Sequence, residues 1–169
     1  YLRTSNQVEK PTRLILREAP DGGAATYRTV FTARAALPGF ALTPDGSKVF
    51  IGGPLDGLHV ASTEDFQFQR RSDIEVQCLG INSDGLWACS SERSGFVAGV
   101  SKDEGATFEP RLRFCDIPGP LPSCGATAPT TTTCNPLWPT QRALIGCGGM
   151  PNVGDDGGFE AGDSPPPPS

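Results

Sequence analysis

The chain is poor in the residues that most often carry catalysis and metal binding. Its 169 residues include one histidine, two tyrosines and one methionine. The six cysteines form no Cys-x-x-Cys pair, so the clustered thiolates and imidazoles of a structural zinc site are lacking. The sequence has no Asn-x-Ser/Thr acceptor for glycosylation. No apolar run approaches the about 18 residues that indicate a membrane span.

Basic charge is also in short supply, because 14 Lys and Arg stand against 19 Asp and Glu. This balance excludes the basic footprint of a nucleic-acid-binding protein. Six cysteines without a metal pattern favour disulfides formed in an oxidising compartment. We therefore expect an extracellular or cell-envelope location.

Glycine and proline are abundant but unevenly placed. The chain has 21 Gly and 17 Pro, and they make up half of residues 148–169. This predicts three regions: a β-rich body over 1–114, a Cys-rich segment over 115–147, and a disordered Gly/Asp/Pro-rich linker over 148–169. Because the chain starts without Met or a signal-peptide pattern, we expect it to be a piece of a longer precursor.

Two turn motifs repeat along the body. The segment 101–108 has a weaker copy at 62–68 and a third at 19–27, and the aromatics that close the copies are 41 and 40 positions apart: Tyr27, Phe68 and Phe108. A Pro-Asp-Gly or Ser-Asp-Gly turn repeats in step, with Asp45 and Asp84 39 positions apart. A period near ~40 residues with short β runs predicts one four-stranded blade per repeat. The predicted strands are 48–52, 58–62, 66–70, 74–81, 86–90, 96–101 and 107–114.

The segment Ser-x-Asp-x-Gly-x-Thr-Phe resembles the Asp-box, or BNR repeat, of sialidase-like β-propellers. It matches that pattern at every fixed position: Ser101, Asp103, Gly105, Thr107 and Phe108. The second copy is one residue short and has Glu where Asp is expected: Ser62, Glu64 and Phe68. The third copy has an insertion: Asp21, Gly23, Thr26 and Tyr27. The whole arrangement looks like the C-terminal part of a predicted surface protein of the myxobacterial type.

The resemblance implies an all-β fold of about two and a half four-stranded antiparallel blades, an incomplete propeller. In that family the motif joins the third and fourth strands of a blade, away from the substrate pocket. The residue types explain this placement. A carboxylate in a tight turn accepts backbone N–H bonds, glycine supplies a positive φ, and the aromatic enters the sheet interface. We therefore interpret Asp103 as structural.

Candidate catalytic residues are few. A sialidase-like glycoside hydrolase needs a tyrosine nucleophile, but Tyr27 occupies a structural position of the motif and Tyr1 starts the chain. A hydrolytic carboxylate pair could draw on body acids, but no spacing pairs them: Asp56, Glu75 and Asp84. The single histidine, His59, is expected to pack in a strand, and Arg70 and Arg71 to lie on a solvated face. We expect no catalytic residue, metal ligand or cofactor in this chain.

Two cysteines lie opposite each other in the predicted hairpin around Ser83 and Asp84. In that register Cys78 pairs with Cys89, which predicts a cross-strand disulfide. Of two possible loops, we favour a four-residue turn closed by Ile81 and Leu86. A two-residue turn closed by Asn82 and Gly85 is the alternative.

Residues 115–147 read as a segment that needs covalent ties, with one short helix over 137–146. Pro139 suits its first turn and Gly146 its end. Four apolar residues are expected to dock on the last blade: Leu137, Trp138, Leu144 and Ile145.

The preferred function is a non-catalytic, secreted or surface-tethered β-propeller module for binding or architecture at the cell envelope. Its partner, a glycan or a protein, is not identified by the sequence. The alternative is a fragment of a sialidase-like glycoside hydrolase whose catalytic residues lie in missing blades.

Overall fold

The computed structural model describes residues 2–4, 11–19, 23–119, 125 and 127–147. These residues contain eleven strands and one α-helix, joined by turns and short 3-10 and π segments. The elements are β1 Leu2–Thr4, β2 Thr12–Glu18, β3 Thr26–Ala33, β4 Gly39–Leu42, β5 Lys48–Gly53, β6 Gly57–Ser62, β7 Gln69–Ser72, β8 Cys78–Asn82, β9 Gly85–Cys89, β10 Ala98–Ser101, β11 Glu109–Leu112 and α1 Asn135–Leu144.

The strands form three open antiparallel sheets in chain order. The first sheet is β1-β2-β3, the second is β4-β5-β6-β7 and the third is β8-β9-β10-β11. Hydrogen-bonded neighbours are consecutive in the chain, so each sheet is a simple meander. A mostly β structure of antiparallel sheets is confirmed, and two of the sheets have the predicted four strands, whereas the first has three described strands.

The second sheet contributes apolar side chains to two clusters, one shared with the first sheet and one shared with the third. Side chains alternate across a strand, and β5 shows this directly. Val49 and Ile51 join the cluster with the first sheet, whereas Phe50 joins the cluster with the third. Sheet-on-sheet packing of apolar side chains is therefore the main source of stability in the body.

The first strands of the second and third sheets also meet directly, because β4 packs against β8. Gly39 makes this close approach possible. A Cβ atom there would lie 2.9 Å from Cγ of Leu79 in β8, and 2.4 Å from Cγ1 of the buried Val76 just before that strand.

Most predicted strands are confirmed to within a few residues at each end. The strand predicted at 66–70 instead runs over Gln69–Ser72, because Phe66 adopts a positive φ of 57° and ends the preceding turn. The strand predicted at 74–81 begins later, at Cys78, because residues 73–77 form the connection between the second and third sheets.

The helix begins two residues earlier than predicted and follows a π-helical turn at Thr130–Cys134. Pro136 takes the first-turn position, where a missing N–H costs little, and Pro139 lies inside the helix. The assignment of Pro139 to the first turn was therefore wrong. Gly146 is confirmed as the terminator, with a φ of 90°. The amides of Gly146 and Cys147 donate to the carbonyls of Ala143 and Arg142, the Schellman arrangement.

The helix buries little against the sheets. None of its residues is buried: Leu137 is 52% exposed, against the expected docking, and Leu144 is 71% exposed although it lines a cavity together with residues of the third sheet. No helix among the described residues has the length and hydropathy that a bilayer crossing requires.

Candidate functional site

The turn between β10 and β11, residues 101–108, is organised around the Asp103 carboxylate. Oδ1 accepts the Thr107 amide at 2.9 Å and the Ser101 hydroxyl at 2.7 Å, and Oδ2 accepts the Thr107 hydroxyl at 2.6 Å. Asp103 thus accepts a backbone N–H bond within its own turn, as predicted. Two further bonds come from hydroxyls rather than from the backbone.

Ser101 also stabilises the 101–108 turn. Its side chain is buried, and its Oγ accepts the Gly105 amide at 2.7 Å while donating to Asp103. Gly105 has a φ of 85° and Glu104 has one of 60°, so two consecutive residues occupy the left-handed region. Only glycine adopts that region without steric cost, which explains its place in the pattern.

These hydrogen bonds set the electrostatics of Asp103. The Thr107 hydroxyl, the Thr107 amide and the Ser101 hydroxyl, in that order, lower the pKa of Asp103 from 3.8 to about 2. Asp45, in the turn between β4 and β5, is held in the same way. Bonds from the Thr43 hydroxyl and from the Ser47 amide and hydroxyl lower its pKa to about 2. Both carboxylates are ionised acceptors at neutral pH, which makes them poor proton donors.

The 101–108 turn is fastened to the second sheet. Arg71 donates through Nη2 to the Asp103 carbonyl at 2.9 Å and through Nε to the Glu104 carbonyl at 3.3 Å. Lys48 forms an ion pair with the Glu104 carboxylate. Gly105 sits on Leu58 so closely that a Cβ atom would lie 2.1 Å from Leu58 Cδ2.

A cavity of about 260 Å³ lies beside this contact and is lined by Lys48, Arg71 and Glu104 among others. The charged groups named here already bind one another or the turn backbone. The arrangement is therefore a brace between two sheets.

The second copy of the motif, between β6 and β7, is built differently. Ser62 keeps one bond of the pattern: its Oγ accepts the Glu64 amide at 3.1 Å, as Ser101 Oγ accepts the Asp103 amide at 3.3 Å. The carboxylate that accepts a backbone bond is that of Asp65, whose Oδ1 binds the Gln67 amide at 3.0 Å. The assignment of Glu64 to the acceptor position was therefore wrong. The missing residue shifts the carboxylate by one position along the turn.

Two aromatics of this turn enter the core between the first and second sheets. Phe66 is buried, and Phe68 stacks edge-on against Phe31 with ring centroids 5.2 Å apart. Phe108 closes the third-sheet turn and stacks on Phe96 at 5.3 Å. The expected entry of Phe68 and Phe108 into sheet interfaces is thus seen in both turns.

The third copy falls in the hairpin between β2 and β3. Asp21 lies outside the described residues. Gly23 and Thr26 are exposed, and Tyr27 is 59% exposed. Tyr27 pairs with Arg17, on the face of the first sheet that points away from the second. The expected packing of Tyr27 in a sheet interface was therefore wrong.

The predicted disulfide between Cys78 and Cys89 is confirmed, with Cα atoms 4.8 Å apart. The predicted four-residue turn is wrong, because Asn82 pairs with Gly85 and only two residues lie between them. Asn82 Oδ1 holds this turn by accepting the Asp84 amide at 2.8 Å, and Gly85 supplies a φ of 136°.

A second disulfide joins Cys115 to Cys147. Cys134 is a free, exposed thiol, and Cys124 lies outside the described residues. The second bridge connects the segment after β11 to the end of α1. The sequence left this pairing open.

The remaining candidates lie apart. Asp84 and Glu75 flank opposite ends of the third sheet, and Asp56 binds the Arg34 amide at 3.1 and 3.2 Å. His59 packs against Phe31 with ring centroids 5.0 Å apart, and burial lowers its pKa, with a further contribution from Arg70. No group of three potential metal ligands occurs in the described part of the chain.

Sequence reasoning missed the role of Arg71. Arg70 pairs with Asp73 on the surface, as a solvated residue does, but Arg71 binds a turn 32 positions away. No local pattern reports a contact of that kind, because the residues meet only after two sheets have packed.

No protein-family model, curated protein or solved structure matches this chain.

Proposed function

We propose that the chain contributes non-catalytic blades to a secreted or surface-tethered β-propeller, and that it serves binding or architecture at the cell envelope. The sheet order supports this proposal. Three meanders of three, four and four strands follow one another, and each four-stranded sheet carries the Ser-containing turn between its third and fourth strands. That is the position which the Asp-box resemblance implies.

One observation supports the non-catalytic assignment: charged side chains stabilise turns and connections through hydrogen bonds to the backbone. Asp103 holds its own turn, and Arg71 holds that turn to the second sheet. Asp56 holds the Arg34 backbone in the connection between the first and second sheets. A carboxylate whose oxygens are occupied by such bonds is suited to rigidity and is unsuited to nucleophilic attack.

Export is supported by the two disulfides, because such bonds persist in oxidising compartments. The Cys78–Cys89 bridge joins adjacent strands. The Cys115–Cys147 bridge ties down a segment with little apolar contact of its own.

The test compares binding with hydrolysis. The oxidised chain, labelled with a fluorophore, is incubated with purified bacterial envelope fragments. A disulfide-bonded protein of similar net charge serves as the control. We expect the envelope fragments to retain more of this chain than of the control protein. In a separate assay with unlabelled chain, we expect no fluorophore to be released from a fluorogenic sialoside. Sialoside hydrolysis by a longer form of the protein, with none by this chain alone, would instead support the glycoside hydrolase alternative.

A further inference from the structure

A cavity of about 420 Å³ lies at the end of the third sheet opposite the 101–108 turn. Its walls come from the connection before β8, the connection between β9 and β10, the segment after β11 and the end of α1. This volume lies within the about 300–1,000 Å³ typical of small-ligand sites. None of its residues takes part in the brace described above.

One wall of the cavity is polar and held in place by hydrogen bonds. The Ser91 hydroxyl donates to Oε2 of Glu75 at 2.7 Å, and the Ser90 hydroxyl donates to the Glu75 carbonyl at 2.9 Å. The Glu75 amide donates to Ser94 Oγ at 3.1 Å. Glu75 is thereby fixed as an acceptor before any ligand arrives, and such preorganisation favours binding. Gln77 lines the same cavity and is exposed.

The apolar part of the lining is held in place by Glu92, whose side chain is 3% exposed. Its Oε1 accepts the amides of Phe114 and Cys115, which holds the backbone of this segment beside the cavity that Phe114 lines. Cys115 is in turn held by the disulfide to Cys147 and by a 2.7 Å bond from Arg142 to its carbonyl. This tether brings the end of α1, including Leu144, to the cavity.

The apolar wall remains open to solvent. Phe114 is 39% exposed and Leu144 is 71% exposed, although both are large hydrophobic residues. An exposed aromatic beside fixed hydrogen-bond acceptors suits a ligand with one polar edge and one apolar face.

The charges around the cavity are balanced. Glu75, Glu92 and Arg93 line it, and Oε2 of Glu92 faces Nε of Arg113 at 3.9 Å. A charged ligand would therefore meet groups of both signs and gain no net attraction, whereas a neutral ligand that forms hydrogen bonds needs none.

We propose that this cavity binds one unit of a neutral saccharide. Its hydroxyl groups donate to the Glu75 carboxylate and bond to the Gln77 amide, and the C–H face of the sugar ring packs on Phe114. The inference deepens the proposed envelope-binding function and rests on it, because it assigns a ligand class and a place to that binding.

The test titrates the oxidised chain with cellobiose and with chitobiose, two uncharged disaccharides. For a small ligand in an open site we expect saturable binding with a Kd of about 1 mM. Phe114→Ala is expected to weaken it about tenfold, and Gln77→Ala less, because Phe114 supplies the apolar contact. Tyr27→Ala removes an exposed aromatic from the first sheet and should leave the affinity unchanged.

Phe114→Leu guards against a folding defect, because it keeps an apolar side chain but loses the flat ring face, and it should also weaken binding. Absence of saturable binding of both sugars by the folded chain would overturn the proposal. Binding that is insensitive to Phe114→Ala and Gln77→Ala would do so as well. Preferential binding of sialyllactose or an oligolysine would overturn the neutral-ligand assignment.

The proposal of envelope binding and the proposal of saccharide binding in the cavity can be rejected independently. Envelope retention that survives in Phe114→Ala, without sugar binding by the parent chain, rejects the cavity and keeps the envelope function. Sugar binding without envelope retention rejects the envelope function and keeps the cavity.

Discussion

The turns that join the third and fourth strands of the second and third sheets occupy the same place in the meander, yet they are held by different forces. The third-sheet turn, 101–108, is closed by three hydrogen bonds to Asp103 and is gripped by Arg71 from the neighbouring sheet. The second-sheet turn, 62–68, has the buried Phe66 at a φ of 57° and one carboxylate bond at Asp65.

This difference shows that the position of a turn in the fold can be kept while its internal chemistry changes. The shorter turn has no glycine for the left-handed position. Phe66 adopts the left-handed conformation instead. Burial of Phe66 against the first sheet offsets the strain of its backbone. The longer turn is closed by hydrogen bonds between polar groups. It has a glycine, Gly105, where its backbone approaches Leu58 too closely for a side chain.

The largest expected loss of stability tests whether the second-sheet turn depends on its buried aromatic more than the third-sheet turn does. Phe66→Ala should lower the free energy of unfolding by about 3–5 kcal/mol, because it empties a buried site in the cluster between the first and second sheets. Phe108→Ala, at a partly buried side chain, should cost clearly less. Urea denaturation of both variants measures this. Equal losses would mean that both turns depend on their aromatics alike.

The second effect tests the glycine contact. Gly105→Ala should destabilise the protein by about 2–4 kcal/mol, since it combines a positive φ with a clash against Leu58. Gly46→Ala is the matched control. Gly46 also has a positive φ, but no atom lies within 4 Å of the added Cβ, so the loss should be about 1–2 kcal/mol. The same denaturation experiment compares them, and similar losses would argue against the close approach.

The third effect tests the brace across sheets. Arg71→Ala removes two bonds to the 101–108 turn and should cost about 0.5–1 kcal/mol, because the side chain is exposed. Arg70→Ala removes a surface ion pair with Asp73 but no bond to the 101–108 turn, and should cost less than about 0.5 kcal/mol. Amide hydrogen exchange should rise in the 101–108 turn only in the first variant. A rise in both would show that Arg71 has no special role.

The smallest effect concerns acid. Because the pKa of Asp103 is lowered to about 2 in the folded chain, its ionised form stabilises the turn above pH 4. That contribution should be lost as the pH falls from about 4 to about 2. Thr107→Val removes the hydroxyl donor and should raise the pKa of Asp103, which NMR titration of the carboxyl group measures. An Asp103 carboxyl that titrates near 3.8 in the parent chain would contradict the observed hydrogen bonding.

Much of the fold follows from short patterns in the chain. Short β-branched or aromatic runs bounded by Gly, Pro or Asp placed the strands around 48–62 and 86–101, because such runs and their turn residues are local features of the chain. The Cys78–Cys89 pair followed from the register alone, since residues equidistant from a turn lie opposite each other. The turn size did not follow, because a hairpin around Ser83 and Asp84 can close with two residues or with four at the same register.

By itself, the sequence determined the β class, the repeated turn with Asp103 as its acceptor, the Cys78–Cys89 bridge and the helix stop at Gly146, since each depends on residues near one another in the chain. Only the tertiary structure decided that Arg71 grips the 101–108 turn, that Tyr27 faces away from the second sheet, and that Glu75 and Phe114 line one cavity. Those outcomes depend on how whole sheets pack and on which segment the Cys115–Cys147 bridge holds beside the third sheet. Such contacts join residues tens of positions apart, and no local pattern encodes them.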